Sequence, residues 1–534
     1  MLVVGLDFGT LSVRAQVVDT ENGSVHASAT ELYQHGVIEG QLPYGNVELP
    51  PQWALQHPQD WLDSMIAVVR KVAKEVDVSL IGGIGIDSTG CTVLPVKSDG
   101  TPLVFLGNKN LKPHAWPKLW KHNSAQAEAN LLTRVALERR EMWINRCGGA
   151  VSPAFMLAKA LQLLKEDPTI YREADLIVEE SDWLVWQLTG NFQRNSFGAE
   201  YLAYISKVDG PPSREYLQSV DPGLADFYLS KGAGTIASPG TSAGYLRPYW
   251  AQRLGLPLGI SVSVPTIDGP AGAIGGGITA DGVMYMMMGT STVHFLLSER
   301  EAVVPGIAGV ARDAIFPGQF LYGVPQVAVG DAFNWFTEQV NQSHEYLTEK
   351  AQKLSPGANG LVALDWFNGG RKPEVVGDLS GAVIGYTLQT TPEDVYRSLI
   401  ESTAFGTRYV VDTFCDAGIP VYGLRAGGGL TSNSMLLQIY SDVTGFEIEV
   451  SAVQNSSVFG AALLGAVASG VYDSVMAASD AMVPDPIFTI KPIAKNKHVY
   501  DALYTQYLSL IKIFGHGESP LLKLREINRK SLRQ

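Results

Sequence analysis

The opening thirty residues constrain this chain more than any other stretch. Residues 2–6 form a short apolar run that ends at Asp7. A tight polar loop, Phe8-Gly9-Thr10-Leu11-Ser12, follows, and then a second strand-like run over 13–18. Asn22-Gly23 leads into a third run over 25–32. An Asn-Gly pair supplies the positive φ angles that a tight hairpin turn demands, so the reading is an antiparallel meander with a polar loop at its first turn. About 280 residues further on the grammar returns: apolar runs at 283–288 and 293–297 flank Gly289-Thr290-Ser291-Thr292. Two such strand-turn-strand units predict a duplicated α/β fold with a cleft between its halves.

Length agrees with duplication, because 534 residues are too many for one hydrophobic core. The expected division is an N-terminal domain over 1–258, a C-terminal domain over 259–490, and a helical, then basic, tail over 491–534. Within the first domain, helical spacing of Trp61, Met65, Val68 and Val72 predicts a helix over 58–76. A strand over 81–86 then runs into Asp87-Ser88-Thr89-Gly90, and helices dominate 118–189.

Composition excludes several classes of function. A net charge of −13 is repelled by nucleic acid and by anionic membranes, so neither is expected as a partner. The N-terminus lacks the basic start and small-residue cleavage site of a signal peptide, and no uncharged apolar run reaches membrane-spanning length. Three scattered cysteines, Cys91, Cys147 and Cys415, suit neither a disulfide framework nor a zinc site. A cytoplasmic protein is the expectation.

Four motifs can carry chemistry. Asp7, Gly9, Thr10, Ser12 and Arg14 surround the first turn, where backbone N–H groups and hydroxyls can meet phosphate and a carboxylate can hold Mg²⁺ through water; an ordinary hairpin turn is the even-odds alternative. Gly289 and Thr290 offer a second such loop. Gly427, Gly428 and Gly429 follow an apolar run and precede Asn433 and a helix, an arrangement that admits a nucleotide close to backbone, or merely makes a tight connection. Asp268, before Gly269-Pro270, is either a helix cap or a carboxylate able to take a proton from an attacking hydroxyl. A P-loop, a protein-kinase His-Arg-Asp and a clean dinucleotide-binding fingerprint are all missing.

Taken in order, Asp7-Phe8-Gly9-Thr10 with Arg14, Asp268, Gly289-Thr290-Ser291 and Gly427-Gly428-Gly429 resemble the FGGY carbohydrate kinases. So does the stretch from Gly381 to Gly385 through Asp394 and Val395 to Ser398 and Glu401. Within that family the likeness is to the ribulokinase group, through Gly85-Ile86-Asp87-Ser88-Thr89-Gly90, Leu119-Trp120-Lys121-His122 and Thr403-Ala404-Phe405-Gly406-Thr407-Arg408. The resemblance implies two actin-like (ribonuclease H-like) ATPase domains with an interdomain cleft. It implies ATP and Mg²⁺ as cofactors, and a ketopentose, L-ribulose first, as the small-molecule partner. By the same resemblance Asp268 is the general base and touches the sugar, with Thr89, Gly90 and Trp120 lining its pocket. Asp7 and Asp268 face the metal through water, while Gly9, Thr10, Ser12, Arg14, Gly289, Thr290, Gly427, Gly428, Gly429 and Asn433 serve ATP. A homodimer is left open.

Two positions depart from the group's pattern: Leu202 stands where a lysine is common, and Gly323 where a glutamate is common. D-Ribulose, xylulose or ribitol are therefore alternative acceptors. Rival readings from other classes are an actin-like ATPase with no small-molecule acceptor and a non-catalytic sugar sensor.

Overall fold

The computed structural model describes residues 1–313, 315–370, 379–515, 517 and 519–531. They divide into two compact units. The first comprises Met1–Thr279, Gly309–Leu321 and Asn455–Pro484; the second comprises Ala280–Ala308, Tyr322–Gln454 and Asp485–Gln534. This interleaving differs from the contiguous domains expected from sequence.

The expected hairpins form in the first unit. β1 (Leu2–Phe8), β2 (Ser12–Asp19) and β3 (Val25–Leu32) make the meander, and β1 pairs in parallel with β4 (Ile81–Ser88) on its other side. Strand Ser261–Ser263 extends the sheet beyond β4, and Thr266–Ile267 pairs with the end of β4. β1 is buried along its whole length, so it reads as an unbroken apolar run rather than an alternating one. Helix α1 (Pro58–Ala73) starts with proline at its first turn, capped by the His57 ring, which accepts from the Gln59 N–H. Its buried stripe of Trp61, Met65, Val68 and Val72 packs on the meander, as the spacing predicts.

The interleaving has a definite cause. Helix Ser456–Ala468 lies against β1 and β4 with backbone almost touching backbone. A Cβ on Gly5 would stand 2.1 Å from Val458 O, one on Gly83 2.3 Å from Gly465 O, and one on Gly85 1.7 Å from Ala461 O. The same helix clasps helix Asp268–Gly275: a Cβ on Gly275 would meet Ser456 O at 2.0 Å, and one on Gly460 would meet Ala271 O at 1.9 Å. Glycine is required at such approaches because any side chain displaces the neighbouring backbone. Asp268 therefore belongs with the first unit.

The second unit repeats the sheet grammar. Strands Val283–Met288 and Thr292–Ser298 form the antiparallel hairpin. Val283–Met288 pairs in parallel with Gly423–Gly427, which pairs in parallel with Ile448–Val450. The expected separate tail is part of this unit's core. Helix Ala494–Phe514 buries Tyr500, Tyr504, Tyr507 and Ile511; Tyr500 donates to Glu401 (3.0 Å) and Tyr507 to Asp365 (2.7 Å). No described helix is long and apolar enough to cross a membrane.

Gly85→Ala should destabilise the protein by about 1–3 kcal/mol or prevent its folding, because overpacking here strikes backbone. Gly423→Ala, with nothing within 4 Å of the added methyl, should shift stability by no more than about 0.5 kcal/mol. Urea unfolding of the two variants checks the contrast.

Candidate active site

Three acids gather at the carboxyl ends of adjacent strands in the first unit. The β1–β4 register sets Asp7 beside Asp87 and Phe8 beside Ser88. Thr266 lies on the other side of Asp87, and the chain then turns directly into the helix that begins with Asp268. Asp7 and Asp87 are almost wholly buried; Asp268 is partly exposed.

Their electrostatics are lopsided. Arg14, opposite Asp7 on β2, donates from Nη1 to Asp7 Oδ2 at 3.0 Å. Asp268 Oδ1 accepts from the Gly269 N–H at 2.8 Å, and the nearby Gly90 amide favours its charged form. Asp87 has neither kind of help: both its carboxyl oxygens are buried without a hydrogen-bond partner among the described residues. Burial raises the Asp7 carboxyl above its ordinary value, against the pull of Arg14. Burial also raises Asp87 well above the usual range, and the charges of Asp7 and Asp268 push the same way. Asp268 is lifted to about 7, first by burial and then by Asp7.

This donor set fits a hydrated divalent cation. Three carboxylates face one arginine, and an orphaned buried carboxylate costs free energy until a cation or a donor reaches it. The acids do not converge on bare-ion spacing. Among the described residues, the one group of three metal-binding side chains with ligand atoms all within 4.8 Å of one another is His35, His57 and Asp60. That group is already knitted together, since His35 Nδ1 bonds Asp60 Oδ1 (2.8 Å) and His57 Nδ1 accepts from the Gln59 N–H. Asp7, Asp87 and Asp268 would instead hold Mg²⁺ through its water shell, as hard cations that dehydrate reluctantly require.

The first turn carries the other predicted residues. The Gly9 N–H donates to Ser12 O at 2.9 Å; the Ser12 side chain is itself largely buried. Thr10 is held twice, its carbonyl accepting from Gln56 Nε2 (2.9 Å) and its Oγ1 from Trp120 Nε1 (3.0 Å). Trp120 therefore belongs beside this loop, with 40% of its surface exposed. Lys118 is buried in an extended segment bridged to Leu55 and Val93.

In the second unit Gly289 and Thr290 form a tight turn, the Gly289 N–H donating to Ser291 O at 2.8 Å. The start of helix Gly330–Val340 is fastened to that turn, with the Gly330 N–H on Gly289 O (3.1 Å) and the Asp331 N–H on Thr290 O (3.1 Å). Gly428 has φ +98°, and a Cβ there would lie 2.4 Å from Met288 O. A Cβ on Gly427 would lie 2.0 Å from the Tyr285 hydroxyl. Asn433 caps helix Ser434–Thr444 through Leu436 N (3.1 Å) and donates to Thr348 Oγ1 (3.3 Å).

Sequence reading missed Asp87 and Glu180 as site residues. Asp87 could have been found as the acid that ends a strand as Asp7 ends its own. Glu180, fully buried and accepting from Thr89 Oγ1 at 3.1 Å, left no such signal.

The chain matches the model of the FGGY family of carbohydrate kinases, N-terminal domain, over residues 2–275, and that of the C-terminal domain over residues 284–469. It is 43% identical to a ribulokinase from Anoxybacillus flavithermus, over 98% of this chain and 96% of that one. A ribulokinase from Geobacillus thermodenitrificans is 42% identical over the same shares. Among solved structures, a xylulose kinase from Rhodospirillum rubrum superposes with a TM-score of 0.80 at 23% identity, over 96% of this chain and 98% of that one. A glycerol kinase from Plasmodium falciparum gives 0.79 at 18%, over 95% and 97%. These likenesses show the two-domain actin-like kinase fold.

An acid whose folded pKa lies above its unfolded value stabilises the fold fully below the unfolded value, and that contribution is lost as pH rises through the folded one. Asp87→Asn should therefore raise the melting temperature over wild type at pH 7.5, and by less at pH 4.5. A variant less stable than wild type at pH 7.5 would show that Asp87 is compensated. Thermal melts at the two pH values decide it.

Proposed function

With the chain established as a member of the FGGY family of carbohydrate kinases, we propose that this sugar kinase transfers the γ-phosphoryl group of ATP to a primary hydroxyl of L-ribulose, giving L-ribulose 5-phosphate within L-arabinose breakdown. The observation that carries the choice of sugar is identity of 43% and 42% with ribulokinases along almost the whole chain. Asp268 carries the chemistry. It is the acid of the three that stays partly exposed, and its pKa near 7 suits a base working at neutral pH.

In this reading Asp268 takes the proton of the attacking hydroxyl, and the Gly269 amide fixes its orientation. Thr89, Gly90 and Trp120 border the sugar. Asp7, Asp87 and Asp268 hold Mg²⁺ through water; when bound, the ion offsets negative charge on the phosphates. Arg14 pairs with Asp7 and Thr10 presents the first turn to phosphate. Gly289 and Thr290 serve the transferred phosphate, and Gly427 to Asn433 the adenosine. Most of the rate in phosphoryl transfer comes from such positioning and charge stabilisation. The enzyme acts in the cytoplasm.

A second reading, another ketopentose or a pentitol as acceptor, is favoured by Leu202 and Gly323. Leu202 is 1% exposed at the end of helix Ser196–Tyr201, and Gly323 lies buried in strand Phe320–Gln326. An apolar side chain and a glycine cannot hydrogen-bond a hydroxyl as a lysine and a glutamate do, and such exchanges redirect specificity strongly.

ADP release with ATP-Mg²⁺ across pentuloses, pentitols, glycerol and hexuloses tests both readings. L-Ribulose should give the highest kcat/KM, and Asp268→Asn should lower kcat by about 10²- to 10⁴-fold. Preference for another sugar replaces the acceptor, and sugar-independent hydrolysis of ATP overturns the proposal. Because the base must be deprotonated, kcat/KM should fall as pH drops through about 7. A flat profile from pH 5 to 8 would remove Asp268 from the role of base.

A further inference from the structure

Glu180 is a buried acid that the proposed chemistry leaves unused. It opens helix Glu180–Thr189 and has no exposed surface. Its N–H donates to Thr92 O at 2.8 Å, and its Oε2 accepts from Thr89 Oγ1 at 3.1 Å. Oε1 is buried with no hydrogen-bond partner among the described residues. Thr89 Oγ1 also shares a 2.8 Å hydrogen bond with Thr92 Oγ1. The next residue, Gly90, sits against Ile267, where an added Cβ would meet Ile267 Cδ1 at 2.7 Å, and Ile267 directly precedes Asp268. A line of contacts thus runs from Glu180, through Thr89 and Gly90, to the residue that leads into Asp268.

The surroundings decide the form in which Glu180 sits there. Burial raises its carboxyl well above the usual range, the Thr89 hydroxyl opposes this, and Glu179, Asp268 and Asp7 add to it. Tyr33, another group facing it, is buried and held well above its ordinary pKa, so it stays a neutral phenol and adds no charge. A neutral acid can grip the Thr89 hydroxyl without adding another negative charge beside Asp7 and Asp268. An ionised one would be a buried charge with no counterion, which proteins avoid.

Building on the reading of Asp268 as the base, we propose that Glu180 is a positioning residue: it fixes Thr89 so that Gly90 stays seated against Ile267 and Asp268, the next residue, keeps its place. A displacement of about 1 Å at a reacting group can cost about 10²-fold in rate, which makes a rigid buried anchor behind the strand end worthwhile.

The test compares Glu180→Ala, Glu180→Gln, Thr89→Val, Thr89→Ser and the Ala/Val double variant in the full-length enzyme, by ADP release at saturating sugar and ATP. Glu180→Ala and Thr89→Val should each lower kcat by about tenfold or more. The double variant should be no worse than the weaker single one, since the two act in one line. Glu180→Gln, whose carboxamide oxygen can accept from Thr89 as a neutral acid does, should restore most of the loss with an unchanged pH profile, and Thr89→Ser should likewise rescue. If Glu180→Ala fails to fold, the Thr89 pair and Glu180→Gln carry the test.

Wild-type kcat in Glu180→Ala overturns the proposal, as do additive losses in the double variant. Loss in Glu180→Gln with its acid limb moved to lower pH also overturns it, because that result means an ionised Glu180. These failures are separable from failure of the base: Asp268→Asn inactive with Glu180→Ala unaffected rejects the positioning role alone, whereas Asp268→Asn fully active rejects the base itself.

Discussion

Everything in the first unit rests on one close approach, the packing of helix Ser456–Ala468 against β1 and β4 through glycines. Added methyls at Gly5, Gly83 and Gly85 would come within 1.7–2.3 Å of helix carbonyl oxygens, a separation no side chain tolerates. With helix backbone resting on sheet backbone, the strand ends have little freedom to splay, and Asp7 and Asp87 are held abreast. The same helix reaches the proposed base: the Ser457 hydroxyl donates to the Asp268 carbonyl at 3.1 Å, and Gly460 admits Ala271. A segment distant in sequence thereby fixes both sides of the acid cluster.

That rigidity is what allows the cluster to exist. Three carboxylates with one arginine repel each other, and a softer framework would relax by swinging a side chain to solvent. Close-packed interiors transmit strain rather than dissipate it. The cost appears as raised pKa values on Asp7, Asp87 and Asp268 and as orphaned oxygens on Asp87. A buried carboxylate left in that state is the kind of group that an arriving cation or hydrogen-bond donor would stabilise. Asp268 keeps an amide donor and partial exposure, and this separates a carboxylate poised near neutrality from its more deeply buried neighbours.

How far the sequence spoke depended on the range of the interaction. The β1–β2–β3 meander, the hairpin at Gly289 and helix α1 were legible because hydrophobic period, Asn-Gly and proline at a first turn are local signals. The interleaving of the units was not, because close contact between Gly85 and Ala461 leaves no mark except glycines that also fit turns or bulges. Likewise helix Ala494–Phe514 read as a tail, since the tyrosines it buries meet partners at Glu401 and Asp365, remote in sequence. Asp7, Thr10, Arg14 and Trp120, singled out in the sequence, meet around one turn. Asp87 escaped because its significance comes from a parallel register that only the sheet reveals.

Glu180 marks the limit of what pattern can carry. Along the helix it is one acid beside another, a common feature of a first turn, where the helix dipole favours negative charge. In place it is sealed from solvent, tied to Thr89 and surrounded by further acids, so the favourable form loses its charge and the dipole argument lapses. The same residue type at the same helical position thus acts as a surface cap or as a neutral brace according to what lies across from it. The Gly9 and Gly289 turns, by contrast, are local and recur as motifs, whereas the pairing of a buried polar group, or its lack, is a property of three dimensions.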